Sequence, residues 1–405
     1  MIFLIVMIFN YLYSEDFNSF IKGNNQFAID LYKQMSKSNE NIFFSPISIS
    51  NAFAMLYAGT DGKTKKEIKQ VFHFAPEKEL HSYFSELIRK IKSNDGGILG
   101  IFFSVRELHI ANGIWMQKDY KFKKEYLKTM NKYYDAVLKE VDFKEASEKS
   151  RNTINRWVEQ KTKRKIKDLM PPGSISSSTR LVLTNAIYFK SKWEYIFDEK
   201  ETEYMPFYLL DGSEKKVPMM SYGESKYLRY FEDEQIQIIE MDYKGRKNSM
   251  LVILPKKKDG IKDLEKILTL DILNKWMESM KTEKVVVFFP KFKITGDYEL
   301  RHDLENLGLN TIFSEEADFS EMTNGKGLFI NAIFHKTFIE VTETETKAAS
   351  ATATGLLLAP PPTEIEPRIF KADHPFIFLI YDKDTNAILF FGRFLEPEED
   401  YETPY

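Results

Sequence analysis

The chain has 405 residues, with 57 Lys and Arg against 60 Asp and Glu. The formal charge of −3 argues against a general nucleic-acid binder, which carries a clear basic excess. There is no cysteine, so disulfides, thiol catalysis and cysteine-based metal sites are excluded, and with 43% hydrophobic residues a large core is available.

The first nine residues, Met1–Phe9, form an apolar run too short to span a bilayer. They are followed by Asn10–Ser14 and the acidic pair Glu15-Asp16. This pattern predicts a leader over residues 1–14, cut after the small Ser14, and hence a secreted, extracellular protein. No Asn-x-Ser/Thr sequon occurs, so N-glycosylation is not expected, and no other stretch approaches membrane-spanning length. Nothing divides the remaining chain, which reads as one continuous domain over residues 15–405.

Taken in order, Phe27, Ala28, Leu31 and Met35 recur on one face and predict a helix over 24–37. A second begins after Pro46, burying Phe53, Ala54 and Leu56, and stops near Gly59. Thr64 and Glu67 have capping-box spacing and predict the start of a third. Further amphipathic stretches predict helices over 79–92, 123–134 and 145–160. From residue 181 onward the signal changes to short apolar runs, over 181–189, 250–254, 285–289, 376–381 and 387–391. Their length and bounding turns predict buried strands, with 382–386 as a hairpin loop. Helices first and strands afterwards predict an α+β fold.

Enzyme signals are missing. The six histidines, His73, His81, His109, His302, His335 and His374, form no H-E-x-x-H pattern, and no G-x-S-x-G elbow occurs. Gly59–Thr64 hints at a phosphate loop, but Tyr57 stands where its first glycine is required, so the stretch reads as an exposed turn leading into a helix capped by Thr64. No catalytic residue, metal ligand or cofactor is assigned.

Glu343–Gly355 (ETETKAASATATG) carries no large apolar side chain, although it lies between two strand signals. Leu356-Leu357-Leu358-Ala359 and Pro360-Pro361-Pro362 follow, an apolar tip on a stiff stem. One reading is a solvated loop whose leucines meet a partner; the other is an ordinary loop whose leucines fold back. Small residues also allow a chain to slide into an existing sheet. Alternation would then send Thr346, Ala348, Ser350 and Thr352 to one face and Lys347, Ala349, Ala351 and Ala353 to the other. At about 0.5–1.5 kcal/mol per net hydrogen bond, a dozen inserted residues would release on the order of 10 kcal/mol.

Four stretches resemble the signatures of the serpin family: Asn41–Ile49 (NIFFSPISI), Thr184–Trp193 (TNAIYFKSKW), Phe289–Phe292 (FPKF) and Phe370–Phe376 (FKADHPF). They occur in serpin order, and the similarity covers roughly residues 20–397. The resemblance implies a metastable fold of three β-sheets and eight or nine helices with an exposed reactive-centre loop, about 343–368. It implies an inhibitor acting as a suicide substrate: a serine protease cleaves the loop, forms an acyl-enzyme, and is dragged away as the loop inserts into the main sheet. Catalysis then belongs to the protease, and this chain is a monomeric inhibitor rather than an enzyme. Carried over by position, Ser45, Ser48, Asn185 and His335 match a polar cluster beneath the opening sheet. Read without the family, His335 is an ordinary satisfied core histidine. Glu343, Lys291 and Trp193 match the site where the loop first enters.

The hinge residues implied are Glu343, Glu345, Thr346, Lys347, Ala348, Ala349, Ser350, Ala351 and Thr352. Inhibitory members carry glycine where Glu345 stands, a departure that keeps open a non-inhibitory member, a ligand carrier or storage protein. The family's spacing from Glu343 puts the scissile bond between Ala359 and Pro360, but proline after the bond blocks most serine proteases. Cleavage of Leu358–Ala359 avoids this, with Leu357 and Pro360 as the flanking alternatives. Leucine before the bond suits chymotrypsin-like or cathepsin-G-like pockets, and alanine suits elastase. Basic residues cluster at Lys161, Lys163, Arg164, Lys165 and Lys167 and at Lys256-Lys257-Lys258. A solvated surface is preferred for them over a glycosaminoglycan site. Neither a nucleic acid nor a membrane is an expected partner.

Overall fold

The structure, a computed structural model, describes residues 2–74, 77–93, 106–134, 136–325, 327–343 and 366–397. Six helices lie early in the chain: α1 Ile2–Met35, α2 Pro46–Tyr57, α3 Gly62–Val71, α4 Glu77–Ser93, α5 Lys124–Tyr133 and α6 Phe143–Lys161. Three follow later: α7 Ile261–Ile267, α8 Leu270–Ser279 and α9 Arg301–Asn306. The strands are β1 Ile42–Phe44, β2 Arg106–Gln117, β3 Val137–Val141, β4 Leu181–Ser191, β5 Asp198–Tyr208, β6 Glu214–Ser221, β7 Lys226–Glu232 and β8 Ile236–Asp242. They continue as β9 Asn248–Pro255, β10 Lys281–Pro290, β11 Phe292–Glu299, β12 Ile330–Val341, β13 Arg368–Lys371, β14 Phe376–Asp382 and β15 Ile388–Phe394.

Five strands form one sheet in the order β11-β12-β4-β2-β3. The other ten are connected through β10, which pairs with β7 over Lys281–Val285, with β6 over Phe288–Pro290 and with β13 over Val285–Phe288. It therefore joins a six-stranded sheet, β1-β15-β14-β9-β8-β7, to a four-stranded one containing β13, β10, β6 and β5. The expected α+β architecture of three sheets is present, with nine helices among the described residues. Strands β9, β14 and β15 are buried along their whole length, which is why their sequences read as unbroken apolar runs.

Helix α2 is the element that places the centre. Ser45 caps it by accepting the Ser48 N–H, and Pro46 occupies its first turn. All twelve of its residues are buried, so it is an interior helix, packed against β15, β4 and β2.

Two local expectations fail for tertiary reasons. Helix α3 starts at Gly62, with Asp61 at the cap position, so Thr64 does not cap it. The Thr64 hydroxyl instead accepts the Asp318 N–H, and Glu67 accepts from the backbone of Asn310 and Thr311 and from the Thr311 hydroxyl. The first helix is also longer than its periodicity suggested: α1 runs without a break from Ile2 through Ser14 to Met35.

The turn between α1 and β1 is held by Arg393, fully buried on β15. Its guanidinium donates to the carbonyls of Ser36, Ser38 and Glu40 and meets Glu265 of α7 at 2.6 Å. The Tyr32 hydroxyl donates to the same carboxylate at 2.9 Å. This clamp fixes the chain that delivers Ser45 to the sheet. Replacing Glu265 by Ala strands a buried guanidinium and is expected to cost about 3–5 kcal/mol. The apolar double variant Arg393→Met/Glu265→Leu is expected to cost less. Urea unfolding of both proteins measures the difference.

Candidate functional site

The five-stranded sheet has a seam at its centre. Strands β12 and β4 are parallel, whereas each is antiparallel to its other neighbour, β11 and β2 respectively. Their register runs from Ile330↔Leu181 to Phe338↔Tyr188 and stops there, although β4 continues to Ser191 and β12 to Val341. A cleft of about 270 Å³ opens at that end, lined by Phe189, Ile339 and the residues that follow each strand.

At the mouth of the cleft, four segments meet on Thr342 and Glu343. The Trp193 indole N–H, just beyond β4, donates to the Thr342 carbonyl at 3.0 Å. Its ring stacks on Tyr243 with centroids 4.5 Å apart and planes within 8°. Glu343 is buried, and its carboxylate is 2.7 Å from the Lys291 ammonium and accepts the Thr202 hydroxyl at 2.8 Å. Burial alone raises that carboxyl, but the Lys291 and Thr202 hydrogen bonds and the Lys291 charge outweigh it, and Glu343 titrates below the ordinary glutamate range. The anchor is therefore charged at neutral pH. Glu343, Lys291 and Trp193 do come together. Thr202 on β5 and Tyr243 after β8 complete the contact, and neither carries a local sequence signal.

Beneath the seam the strand registers align Tyr298, His335, Asn185 and Asn112 in one row across β11, β12, β4 and β2. His335 Nδ1–H donates to Asn185 Oδ1, and Nε2 accepts the Ser45 N–H at 3.1 Å. A neutral imidazole has one donor and one acceptor, and both are used. Asn185 Nδ2 is directed at Ser48 Oγ, 2.6 Å away, and at Asn112 Oδ1. The Ser45 hydroxyl donates to the Leu389 carbonyl at 2.7 Å, tying the row to β15. The Tyr298 hydroxyl accepts the Phe43 N–H. The four residues expected to cluster are thus hydrogen-bonded together. Sequence reasoning missed Asn112 and Tyr298; a lone polar residue at an inward position of an apolar strand was the available signal.

His335 has no exposed surface, and burial pushes its pKa down to about 3 against a small opposing effect of Asn185. The expected bait residues Leu357, Leu358, Ala359 and Pro360 lie outside the described residues, as do the hinge positions Glu345, Thr346, Lys347, Ala348, Ala349, Ser350, Ala351 and Thr352. The chain is described again from Glu366, and β13 runs parallel to β10 from Arg368.

Residues 22–397 match the family described as Serpin (serine protease inhibitor). Human serpin B3 is 39% identical over 401 residues, covering 94% of this chain and all of that protein. Human leukocyte elastase inhibitor is also 39% identical, covering 93% of this chain and 98% of its own length. Among solved structures, uncleaved ovalbumin superposes with a TM-score of 0.82 at 30% identity, covering 93% of this chain and all of that one. These relatives correct one expectation. Serpin B3 and leukocyte elastase inhibitor are intracellular serpins, so the secreted, extracellular assignment drawn from the apolar start does not stand. In the structure the apolar start is helical, as part of α1.

The pH dependence follows from His335. Below about 6.5 an unfolded histidine binds a proton that the buried one refuses until about pH 3. Folded stability therefore falls as pH is lowered through that window, by up to about 1.4 kcal/mol per unit. Urea unfolding of His335→Gln at pH 7, 6, 5 and 4 is expected to show a flatter decline than the parent protein. Parallel curves would remove His335 as its source.

Proposed function

The chain belongs to the serpin family, and from that premise we propose that it inhibits a serine protease as a suicide substrate. The observation that carries this reading is the parallel seam. A strand placed antiparallel between β12 and β4 makes the sheet antiparallel on both sides of it. The only chain needed is the one that leaves β12 at Glu343, next to the cleft where the register ends. The small residues Ala348–Thr352 suit such a strand, since their side chains need little room on either face.

In this mechanism the protease attacks the loop and forms an acyl-enzyme through its own serine. Insertion begins when the Trp193–Thr342 and Lys291–Glu343 contacts release the base of the loop. The polar row then exchanges partners as β12 and β4 separate. We assign the bait bond to Leu358–Ala359, with Leu357 and Pro360 as the flanking alternatives, and the target to a chymotrypsin- or elastase-like enzyme. Neither a cofactor nor a glycosaminoglycan enters this reading. A second reading, a non-inhibitory carrier or storage protein, has one specific observation in its favour: Glu345 puts a charge into the hinge where inhibitors have glycine.

Incubation with chymotrypsin and with neutrophil elastase, followed by denaturing gels and mass spectrometry, separates the two. Inhibition gives a denaturant-stable complex and a released fragment beginning at Ala359. Glu345→Gly is expected to increase the fraction trapped relative to the fraction merely cleaved. Clean cleavage without a complex across a wider set of serine proteases sinks the inhibitory reading.

A further inference from the structure

The last pair of the parallel register, Phe338 on β12 and Tyr188 on β4, puts an aromatic ring on each side of the seam. The two rings stack with centroids 6.0 Å apart and planes within 18°. Aromatic faces attract at this spacing beyond the apolar area they bury. On the far side of Tyr188, the antiparallel register sets His109 of β2 opposite it, and that ring stacks at 6.2 Å with planes within 7°. One row of rings therefore bridges three strands, and one of its two stacks crosses the seam itself.

Further down the same face no second pair of rings meets across the seam: Lys336 is opposite Ala186 and Phe334 is opposite Thr184. The row is also held from above. The chain leaving α6 turns through two left-handed residues, Lys163 (φ 49°) and Arg164 (φ 62°). Lys165 follows, its ammonium 5.8 Å from the centre of the Tyr188 ring, a cation over an aromatic face. Tyr188 is 2% exposed, whereas Phe338 is only partly buried. One ring is thus fixed in the core, and its partner stands at the edge where the cleft begins.

We propose that the Tyr188–Phe338 stack is a latch that sets how fast the seam opens to an entering strand. This rests on the insertion mechanism proposed above and adds its controlling contact. A strand entering from the cleft meets this pair before any other pair of the register, so the stack parts first. Losing a ring pair of this kind changes the rate of a step that breaks it by about two- to tenfold. Timing decides the outcome of the acyl-enzyme. If insertion is late, water attacks its ester, freeing the protease serine and leaving the cut chain with a carboxylate. His109 and Lys165 act through Tyr188, by holding its ring in place against Phe338.

The test reads opening without a protease. A synthetic peptide of residues 344–357 is incubated with the full-length protein, and its uptake is followed on native gels and by the rise in Tm. Phe338→Leu is expected to take it up at least threefold faster than the parent, and Phe338→Tyr, which keeps the ring, within twofold of it. Tyr188→Leu removes the same stack and decides the question where Phe338→Leu fails to fold. The double variant is expected to be no faster than the faster single one, because both lose one shared contact. Phe122→Leu removes a stack of 5.9 Å outside this sheet and is expected to leave uptake unchanged. Unchanged uptake in Phe338→Leu, an equal acceleration in Phe122→Leu, fully additive effects in the double variant, or no uptake by the parent overturns the latch. Titration against chymotrypsin runs alongside, and Phe338→Leu is expected to lower the moles of inhibitor consumed per mole of protease trapped. Accelerated uptake without any covalent complex supports the latch and counts against the inhibitory reading alone.

Discussion

The structure is organised around a parallel pair of strands held side by side in the middle of a sheet. Parallel pairing is slightly weaker per residue than antiparallel pairing, and here it ends before the strands do, at Phe338↔Tyr188. Everything nearby serves to keep that seam closed from one end. Trp193 and Lys291 hold the chain leaving β12, so that the sheet's open end is pinned by one indole hydrogen bond and one half-buried ion pair.

The two titrating groups near the seam are treated in opposite ways by the same burial. At Glu343 a partner of opposite charge and a hydroxyl compensate for lost water, and the group stays ionised. At His335 no acid among the described residues compensates, so the ring is kept neutral and acts as one donor and one acceptor. A neutral row of amides, hydroxyls and imidazole can exchange partners without moving a charge through a low-dielectric interior. That makes it a suitable lining for two strands that part in the proposed mechanism. The ion pair, by contrast, lies at the rim, where the Lys291 side chain keeps contact with water.

Much of this was legible in the residues. The interior helix after Pro46, the helices over 79–92, 123–134 and 145–160, and the buried strands all appear near their expected places, because periodicity and capping are written within each element. Several strands gave no such signal. β5 is largely exposed and charged, and β7 mixes aromatic and charged residues on a partly covered surface, so neither alternates cleanly. Thr64 and Glu67 show the converse: a sound local capping pattern was overridden because the chain near Asn310 and Asp318 competes for the same oxygens.

By itself the sequence determined the α+β class, the family signatures, the small-residue stretch after Glu343 and the polar residues Ser45, Ser48, Asn185 and His335. It did not determine which of those side chains share a row, or that Asn112 and Tyr298 complete it. His335 and Asn185 are 150 positions apart, and only the pairing of β12 with β4 brings them into contact. The same register decided where the seam ends, and α2 packed beneath the sheet decided which polar atoms lost water. Local pattern records what one element prefers; register and burial arise only when elements distant in the chain share an interface, and those two quantities set hydrogen-bond partners and pKa.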